Sequence, residues 1–248
     1  QRQMCIRDSM YAVPYEWYEK YGVRRYGFHG TSHRYVSRRA CEFLGLPYEK
    51  QRIITCHIGN GASITAIKDG KSVDTSMGLT PTEGLMMGTR VGDVDPGAIV
   101  YMMERENLDA AGVSKLINKR SGVAGVTEIS SDMRDIEAAV EAGNERAKMA
   151  LDMYEYRILK YIGAYTAVLS GVDIIVFTGG VGENQTSTRE WLCRKLAYLG
   201  VTFDAEANKS RGKEVEISGK DSKVKVVVIP TDEELMIAED TAEIVSKL

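Results

Sequence analysis

Between Arg52 and Ser76 the chain reads RIITCHIGNGASITAIKDGKSVDTS, and this stretch restricts the fold more than any other. Ile53 to Ile58 is a β-rich run, and Ala62 to Ile67 places Ala62, Ile64 and Ala66 on one face. Asp69-Gly70 is a two-residue hairpin signal of the type I′ kind, and Ser72 to Thr75 comes directly after it. Three short strands joined by two tight turns are predicted. The first turn, Gly59-Asn60-Gly61, has a chemical aspect as well. Two glycines flanking an asparagine permit positive φ and let backbone N–H groups approach an anion, with donors on His57, Asn60 and Ser63 beside them. The turn suits a phosphate cradle, but taken alone it reads first as a plain hairpin.

The remainder of the chain supplies elements to enclose such a meander. A helix is predicted from about Ser32 to a stop at Gly45, and an aromatic-rich segment, Tyr11 to Tyr21, forms a shorter one. Met77 to Val94 is an eighteen-residue loop with four glycines, too long for a simple connector. Asp95-Pro96 then caps and opens a helix. Further helices are predicted over Leu108–Arg120, after a cap at Ser130 or Ser131, and from Asn144 to Gly171. The last carries the stripe Ala147, Leu151, Tyr154, Ile158, Tyr161, Tyr165 and Val168. Asp173 to Phe177 is a short apolar strand suited to a sheet covered on both faces. A second glycine loop, Thr178 to Asn184, leads into a helix bearing Trp191, Leu192, Leu196 and Leu199. Glu214–Ile217 and Val224–Ile229 are strands, and Glu233–Lys247 is a terminal helix. This is an α/β plan with glycine loops at strand ends, where open sheets bind ligands. The net charge of −3 argues against a general nucleic-acid binder, and no apolar run reaches membrane-spanning length. Cys5, Cys41, Cys56 and Cys193 are scattered without a CxxC pair, as expected of a cytoplasmic chain. Residues 1–9, QRQMCIRDS, share no period with the rest of the chain and read as an unrelated leader.

All three histidines, His29, His33 and His57, fall in or beside glycine-rich turns. His29 and His33 have zinc-like spacing, but HGTSH lacks the glutamate of HExxH, and Gly30 and Thr31 weaken a helix there. Gly179, Gly180 and Gly182 let backbone pass close to a bulky ligand, yet the loop is neither GxGxxG nor a Walker loop. Arg90, between Gly88 and Gly92, suits a phosphoryl group in flight or lies on a flexible surface loop. Asp132 and Arg134 read either as capping and first-turn charge or as contacts to a nucleoside. Glu233 is a helix-start acid or a magnesium-associated carboxylate.

Together the segments VPYEWYEKYGVRRYGFHGTSH, CHIGNGASITAI, DTSMGLTPTEGLMMGTRVGDVDPG, SSDMRDI, FTGGVGENQ and IPTDEE resemble the acetate kinase family, from about Met10 to Leu248. The resemblance implies an actin-like ATPase (ribonuclease H-like) domain with a mixed sheet and helices on both faces. It also implies reversible phosphoryl transfer between ATP and acetate, with Mg2+ or Mn2+, in a cytoplasmic homodimer. His29 and Arg90 match the pair that stabilises the transferring phosphoryl group. His57, Ile58, Gly59, Asn60 and Gly61 match the phosphate turn. Asp132, Met133 and Arg134 match the segment near adenosine, and Gly180, Val181, Gly182, Glu183 and Asn184 the second nucleotide loop. Phe28 and Pro81 match the acyl pocket, and Glu233 the magnesium-associated glutamate, although the family commonly has Asn where this chain has Asp232. Residues 10–232 then correspond to the C-terminal nucleotide-binding lobe, with the N-terminal lobe missing, and 233–248 to a helix that packs on that lobe. The alternatives are a non-catalytic nucleotide-binding, dimerising fragment and a propionate or butyrate kinase.

Overall fold

The computed structural model describes residues 9–247. The expected leader therefore lies outside the described residues except for Ser9, whose carbonyl accepts the Arg25 N–H at 2.7 Å. At the centre is a six-stranded sheet of order β3-β2-β1-β4-β6-β5, formed by β1 (Arg52–Ile58), β2 (Ala62–Lys68), β3 (Lys71–Thr75), β4 (Ile174–Thr178), β5 (Val215–Glu216) and β6 (Lys225–Val228). The predicted meander is antiparallel, with Ile58 opposite Ala62 and Arg52 opposite Lys68. Asp69 and Gly70 take φ of 52° and 74°, the two positive values a type I′ turn requires. β4 and β6 extend the sheet in parallel, and β5 closes it antiparallel.

Period-two alternation sorts the strands into two cores. Ile54, Cys56, Ile64, Ile175 and Phe177 face one side, whereas Ile53, Ile67, Ile174, Val176 and Val227 face the other. β4 is buried along its whole length, as a strand covered on both faces must be. Helix α1 (Tyr15–Tyr21) stands near the start, and α2 (Gly30–Leu44) covers the second face with Val36, Ala40 and Cys41. The first face is covered by α5 (Gly122–Thr127), α6 (Met133–Glu141), α7 (Glu145–Val168) and α9 (Thr186–Lys195). α3 (Pro96–Glu106) and α4 (Ala110–Lys119) lie outside, each capped by an aspartate, Asp95 and Asp109. α8 (Gly179–Asn184) follows β4 directly, and α10 (Glu233–Val245) ends the chain. α10 seats Met236 and pairs Asp240 with Arg34 of α2 at 2.7 Å, leaving Ile237, Ile244 and Val245 exposed. Among the described residues no helix is long and apolar enough to cross a membrane.

Three local expectations are corrected. The second glycine segment is not a loop: Gly179–Asn184 is a helical turn springing from β4. The cap of α6 is the Asp132 carboxylate, accepting from Arg134 N at 2.9 Å, rather than Ser130 or Ser131. Val168 completes the stripe of α7 in sequence but is 50% exposed, whereas Tyr165 and Leu169 on either side are buried.

Candidate functional site

The site is a consequence of strand register. β1 and β4 are parallel neighbours with His57 opposite Thr178, so the turns at their ends emerge side by side. A Cβ on Gly59 would lie 3.9 Å from the Gly180 nitrogen. This is the carboxyl edge of the parallel strands, the usual ligand position in open α/β sheets. Gly59 and Gly61 do not take the positive φ expected of them. A Cβ on Gly61 would sit 3.0 Å from Arg90 Nη1 and 3.8 Å from His29 Nε2. Gly179 does take φ of 77°, and a Cβ there would press on the Ile58 carbonyl at 2.9 Å.

Arg90 reaches that point because the long loop is fixed. Gly88 N donates to Asn60 O at 3.1 Å, and α5 secures the loop through Val123 N to Met87 O and Ala124 N to Gly88 O, both 2.9 Å. Half-buried, Arg90 makes no ion pair with a carboxylate among the described residues; it donates to the Met87 sulfur at 3.7 Å. An unneutralised guanidinium held in a fixed loop is an anion-binding group.

His29 precedes α2 in the left-handed conformation, φ 60°, which costs about 1 kcal/mol or more for a residue with a Cβ. Its ring stacks on His57 with centroids 4.1 Å apart. Ser63 Oγ lies 2.8 Å from His29 Nδ1 and 2.7 Å from His33 Nε2, while His33 Nδ1 meets Thr55 Oγ1 at 2.7 Å. His57 Nδ1 meets Ser32 Oγ at 2.8 Å, and that hydroxyl meets Thr231 Oγ1 at 2.8 Å, joining α2, β1 and the approach to α10. Burial, and secondarily Arg90, lowers the His29 pKa. Burial, then the neighbouring His29, lowers His57 to about 4, and burial drives His33 well below the ordinary range. All three rings are neutral at pH 7. No cluster of three or more metal-ligating side chains occurs among the described residues.

Beside this group opens a cleft of about 490 Å³ that contains both glycine turns. The sequence-predicted residues brought together there are Gly59, Asn60, Asp132, Met133, Arg134, Gly180, Val181 and Asn184. The Asp132 carboxylate caps α6 and pairs with Arg134 at 2.5 Å, which is the capping reading, and both residues also line the cleft. Ile58 and Gly182 are buried beneath it. Glu183 turns away: its Oε1 accepts from Gly179 N at 2.9 Å and faces Thr231 N at 3.4 Å, tying the α8 turn to the segment after β6. Tyr154, Gln185 and Arg211 also line the cleft, and sequence reasoning does not select them. In sequence Tyr154 is only a helix-stripe residue, and Arg211 lies in a stretch without period.

A second cavity, about 570 Å³, lies between α2 and the β2–β3 edge; Phe28 borders it with His33 and Arg34, and the glycine turns do not. Pro81 is half-buried in the long loop. Glu233, half-buried, is the first residue of α10, behind its cap Asp232.

The acetokinase family profile matches residues 1–239. The acetate kinase of Parabacteroides distasonis is 67% identical over 239 residues, which are 96% of this chain and 60% of that protein. The crystal structure of Porphyromonas gingivalis acetate kinase superposes with a TM-score of 0.96 at 62% identity, covering 98% of this chain and 61% of the other. A propionate kinase from Francisella tularensis superposes with a TM-score of 0.88 at 41% identity, over 95% of this chain and 60% of its own. The chain thus spans about three-fifths of the length of these relatives. With the profile matched over nearly its whole length and the mixed sheet reproduced in acetate kinase structures, the chain belongs to the acetokinase family.

Proposed function

We propose that this chain carries the nucleotide-gripping half of a cytoplasmic acetate kinase, which transfers the terminal phosphoryl group of ATP to acetate and releases ADP. The observation that supports this best is Arg90, without a carboxylate partner among the described residues, lying with His29 beside Gly61, the residue next to Asn60 of the cleft that both glycine turns line. A carboxylate oxygen attacks the γ-phosphorus while the bond to the bridging oxygen of ADP breaks, and no proton needs to move. Negative charge spreads over the equatorial oxygens in flight, so positioned positive charge and hydrogen-bond donors are the main requirement. Arg90 supplies the charge, and neutral His29 a ring N–H. The turn His57–Gly61 holds the polyphosphate, with Gly182 and Glu183 shaping the second turn beneath it. Asp132, Met133, Arg134, Gly180, Val181 and Asn184 enclose the nucleoside. Phe28 and Pro81 are assigned to the acyl group.

Magnesium fits as an ion that arrives on the nucleotide. The carboxylate assigned to it is Glu233 at the start of α10, between Asp232 and Glu234, and Mg2+ ordinarily keeps phosphate and water as most of its ligands. Bound there, it would neutralise phosphate charge; Mn2+ has the same oxygen preference. A homodimer belongs to the same proposal, with the exposed Met149, Met153 and Tyr156 on α7 as its apolar strip. The 41% identity to a propionate kinase makes propionate the competing acyl substrate.

Calorimetry with Mg-ADP, paired with hydroxamate assays on acetate and propionate, tests the reading. ADP binding to the chain is expected, and in a full-length protein Arg90→Ala should depress kcat about 100-fold or more with little change in ADP affinity. ADP binding without turnover by the 248-residue chain would assign it a binding role only. A nucleotide located away from both Asn60 and Gly182 would refute the proposal.

A further inference from the structure

Two chains of hydrogen bonds lead to the histidines of the site. In the first, Thr55 Oγ1 lies 2.7 Å from His33 Nδ1, His33 Nε2 lies 2.7 Å from Ser63 Oγ, and Ser63 Oγ lies 2.8 Å from His29 Nδ1. Thr55 and Ser63 are 0% exposed and His33 is 4% exposed, so these groups must satisfy one another. Each hydroxyl has one proton to give and each neutral ring one N–H. The hydroxyl protons therefore set the polarity of the chain. In one arrangement Thr55 donates to His33 Nδ1, His33 donates from Nε2 to Ser63, and Ser63 donates to His29 Nδ1. Any other arrangement sets two lone pairs face to face or sends a hydroxyl proton to a carbonyl 3.5 Å away, from Thr55 to Thr65 O or from Ser63 to Phe28 O. That separation is beyond the ordinary O–H···O range. In the second chain Thr231 Oγ1 donates to Ser32 Oγ at 2.8 Å, which leaves the Ser32 proton for His57 Nδ1, also at 2.8 Å. Both chains end on a ring Nδ1 and place that ring's proton on Nε2. His29 Nε2 makes no hydrogen bond among the described residues, and a Cβ on Gly61 would lie 3.8 Å from it and 3.0 Å from Arg90 Nη1.

We propose that Ser63 is a positioning residue for the phosphoryl transfer: taking its polarity from Thr55 through His33, it fixes His29 as an Nε2–H donor aimed at the point that Arg90 also reaches. The use of that donor rests on the nucleotide-binding reading above. A phosphoryl group presents acceptor oxygens there, and a ring in the other tautomer would set a lone pair against them. A neutral imidazole held only by solvent exchanges between its tautomers. The buried chain removes that freedom before any nucleotide arrives, which is what a preorganised donor requires. No proton passes along the chain; it orients the ring and transfers nothing. The spacing of HGTSH places His33 one helical turn beyond His29, where both rings reach the same serine hydroxyl.

The test is two-bond proton–nitrogen correlation spectroscopy of the imidazoles, together with calorimetry, on the full 248-residue chain and its Ser63→Ala variant. At pH 7 His29, His33 and His57 of the wild type should each show the Nε2–H pattern alone. Ser63→Ala should leave His57 as it is and give His29 a second, Nδ1–H population. The variant should bind Mg-ATP about threefold to tenfold more weakly, the effect of one hydrogen bond, and Mg-ADP as the wild type does. A general loss of structure would weaken both nucleotides alike. Should Ser63→Ala not fold, the wild-type spectrum decides the matter, since an Nδ1–H pattern at His29 overturns the inference by itself. In a folded variant, a His29 spectrum like that of the wild type, an unchanged Mg-ATP affinity, or equal losses for both nucleotides overturns this inference and leaves the nucleotide reading standing. A wild type that binds neither nucleotide overturns the nucleotide reading, and with it the use assigned to the His29 N–H, whichever tautomer the spectrum shows.

Discussion

Replacing Glu155 by glutamine should stabilise the protein at pH 8 and leave it unchanged at pH 5. Glu155 lies on α7, 4% exposed, with Oε1 accepting the Thr188 hydroxyl at 2.9 Å. Burial, supported by Asp152 and Glu137 and opposed by the Thr188 hydrogen bond and Lys148, raises its carboxyl from the ordinary glutamate value to about 7. The folded state therefore holds a proton between about pH 4.5 and 7 that the unfolded chain releases. Stability falls as pH rises through that window and is level above it. The full shift corresponds to roughly 3 kcal/mol at 1.36 kcal/mol per unit. Relaxation and water entry around the ionised group reduce the realised cost to roughly 1–2 kcal/mol. A carboxamide in place of the carboxylate would keep the acceptor for Thr188 without the charge. Urea unfolding followed by the fluorescence of Trp17 and Trp191 at pH 5 and pH 8 measures the difference. The buried histidines act in the opposite sense: their pKa values are depressed, so stability is lost as pH falls through about 6.5. They are common to both proteins and cancel on subtraction. An advantage for Glu155→Gln of equal size at both pH values would refute the reasoning.

Two further perturbations test the scaffold of the site. Gly122 has φ of 66°, and a Cβ there would overlap the Met87 carbonyl and lie 2.8 Å from Arg90 O. Gly122→Ala should cost about 2–4 kcal/mol, read as a lower thermal midpoint, and should weaken polyphosphate binding by displacing the Arg90 loop; an unchanged midpoint contradicts the geometry. Arg189, 1% exposed, donates to the carbonyls of Gly182, Glu183, Asn208 and Ser210 and to Asn208 Oδ1. Burial lowers its pKa to about 10, so it stays charged at neutral pH. Arg189→Lys cannot reach those acceptors in a fork and should cost about 3 kcal/mol in urea unfolding, whereas a loss under about 1 kcal/mol would show the carbonyls are readily resolvated.

Legibility in the sequence follows the range of the forces involved. The meander, its I′ turn, the Asp95 and Asn144 caps and the doubly covered β4 all rest on local patterns, and each is present. The juxtaposition of Gly59 with Gly180 rests on the parallel β1–β4 pairing across more than a hundred residues, which no local pattern encodes; only the family resemblance implies it. Gly179–Asn184 reads as a loop because three glycines disfavour helix, yet the β4 end and the Glu183 carboxylate on Gly179 N together hold a turn there. Tyr154 and Gln185 are hidden for another reason. A tyrosine in an apolar stripe and a glutamine between helices are ordinary in sequence, and only burial without a partner distinguishes them.

The electrostatic division of the site comes from the same burial. Two cationic imidazoles stacked at 4.1 Å would repel strongly in a half-buried setting, and burial lowers the pKa of both His29 and His57, so the pair is neutral at pH 7. The neutral pair can donate hydrogen bonds but adds no fixed charge, and Arg134 is already matched by Asp132. At the point shared with Gly61 the positive charge is therefore that of the Arg90 guanidinium. If this end of the cleft grips phosphate as proposed, the protein should add no pH dependence of its own between about pH 6.5 and 9, which calorimetry with pyrophosphate, corrected for the ionisation of pyrophosphate itself, would check. In the proposed reading the histidines set the direction of the approach, and the arginine sets the strength of the attraction.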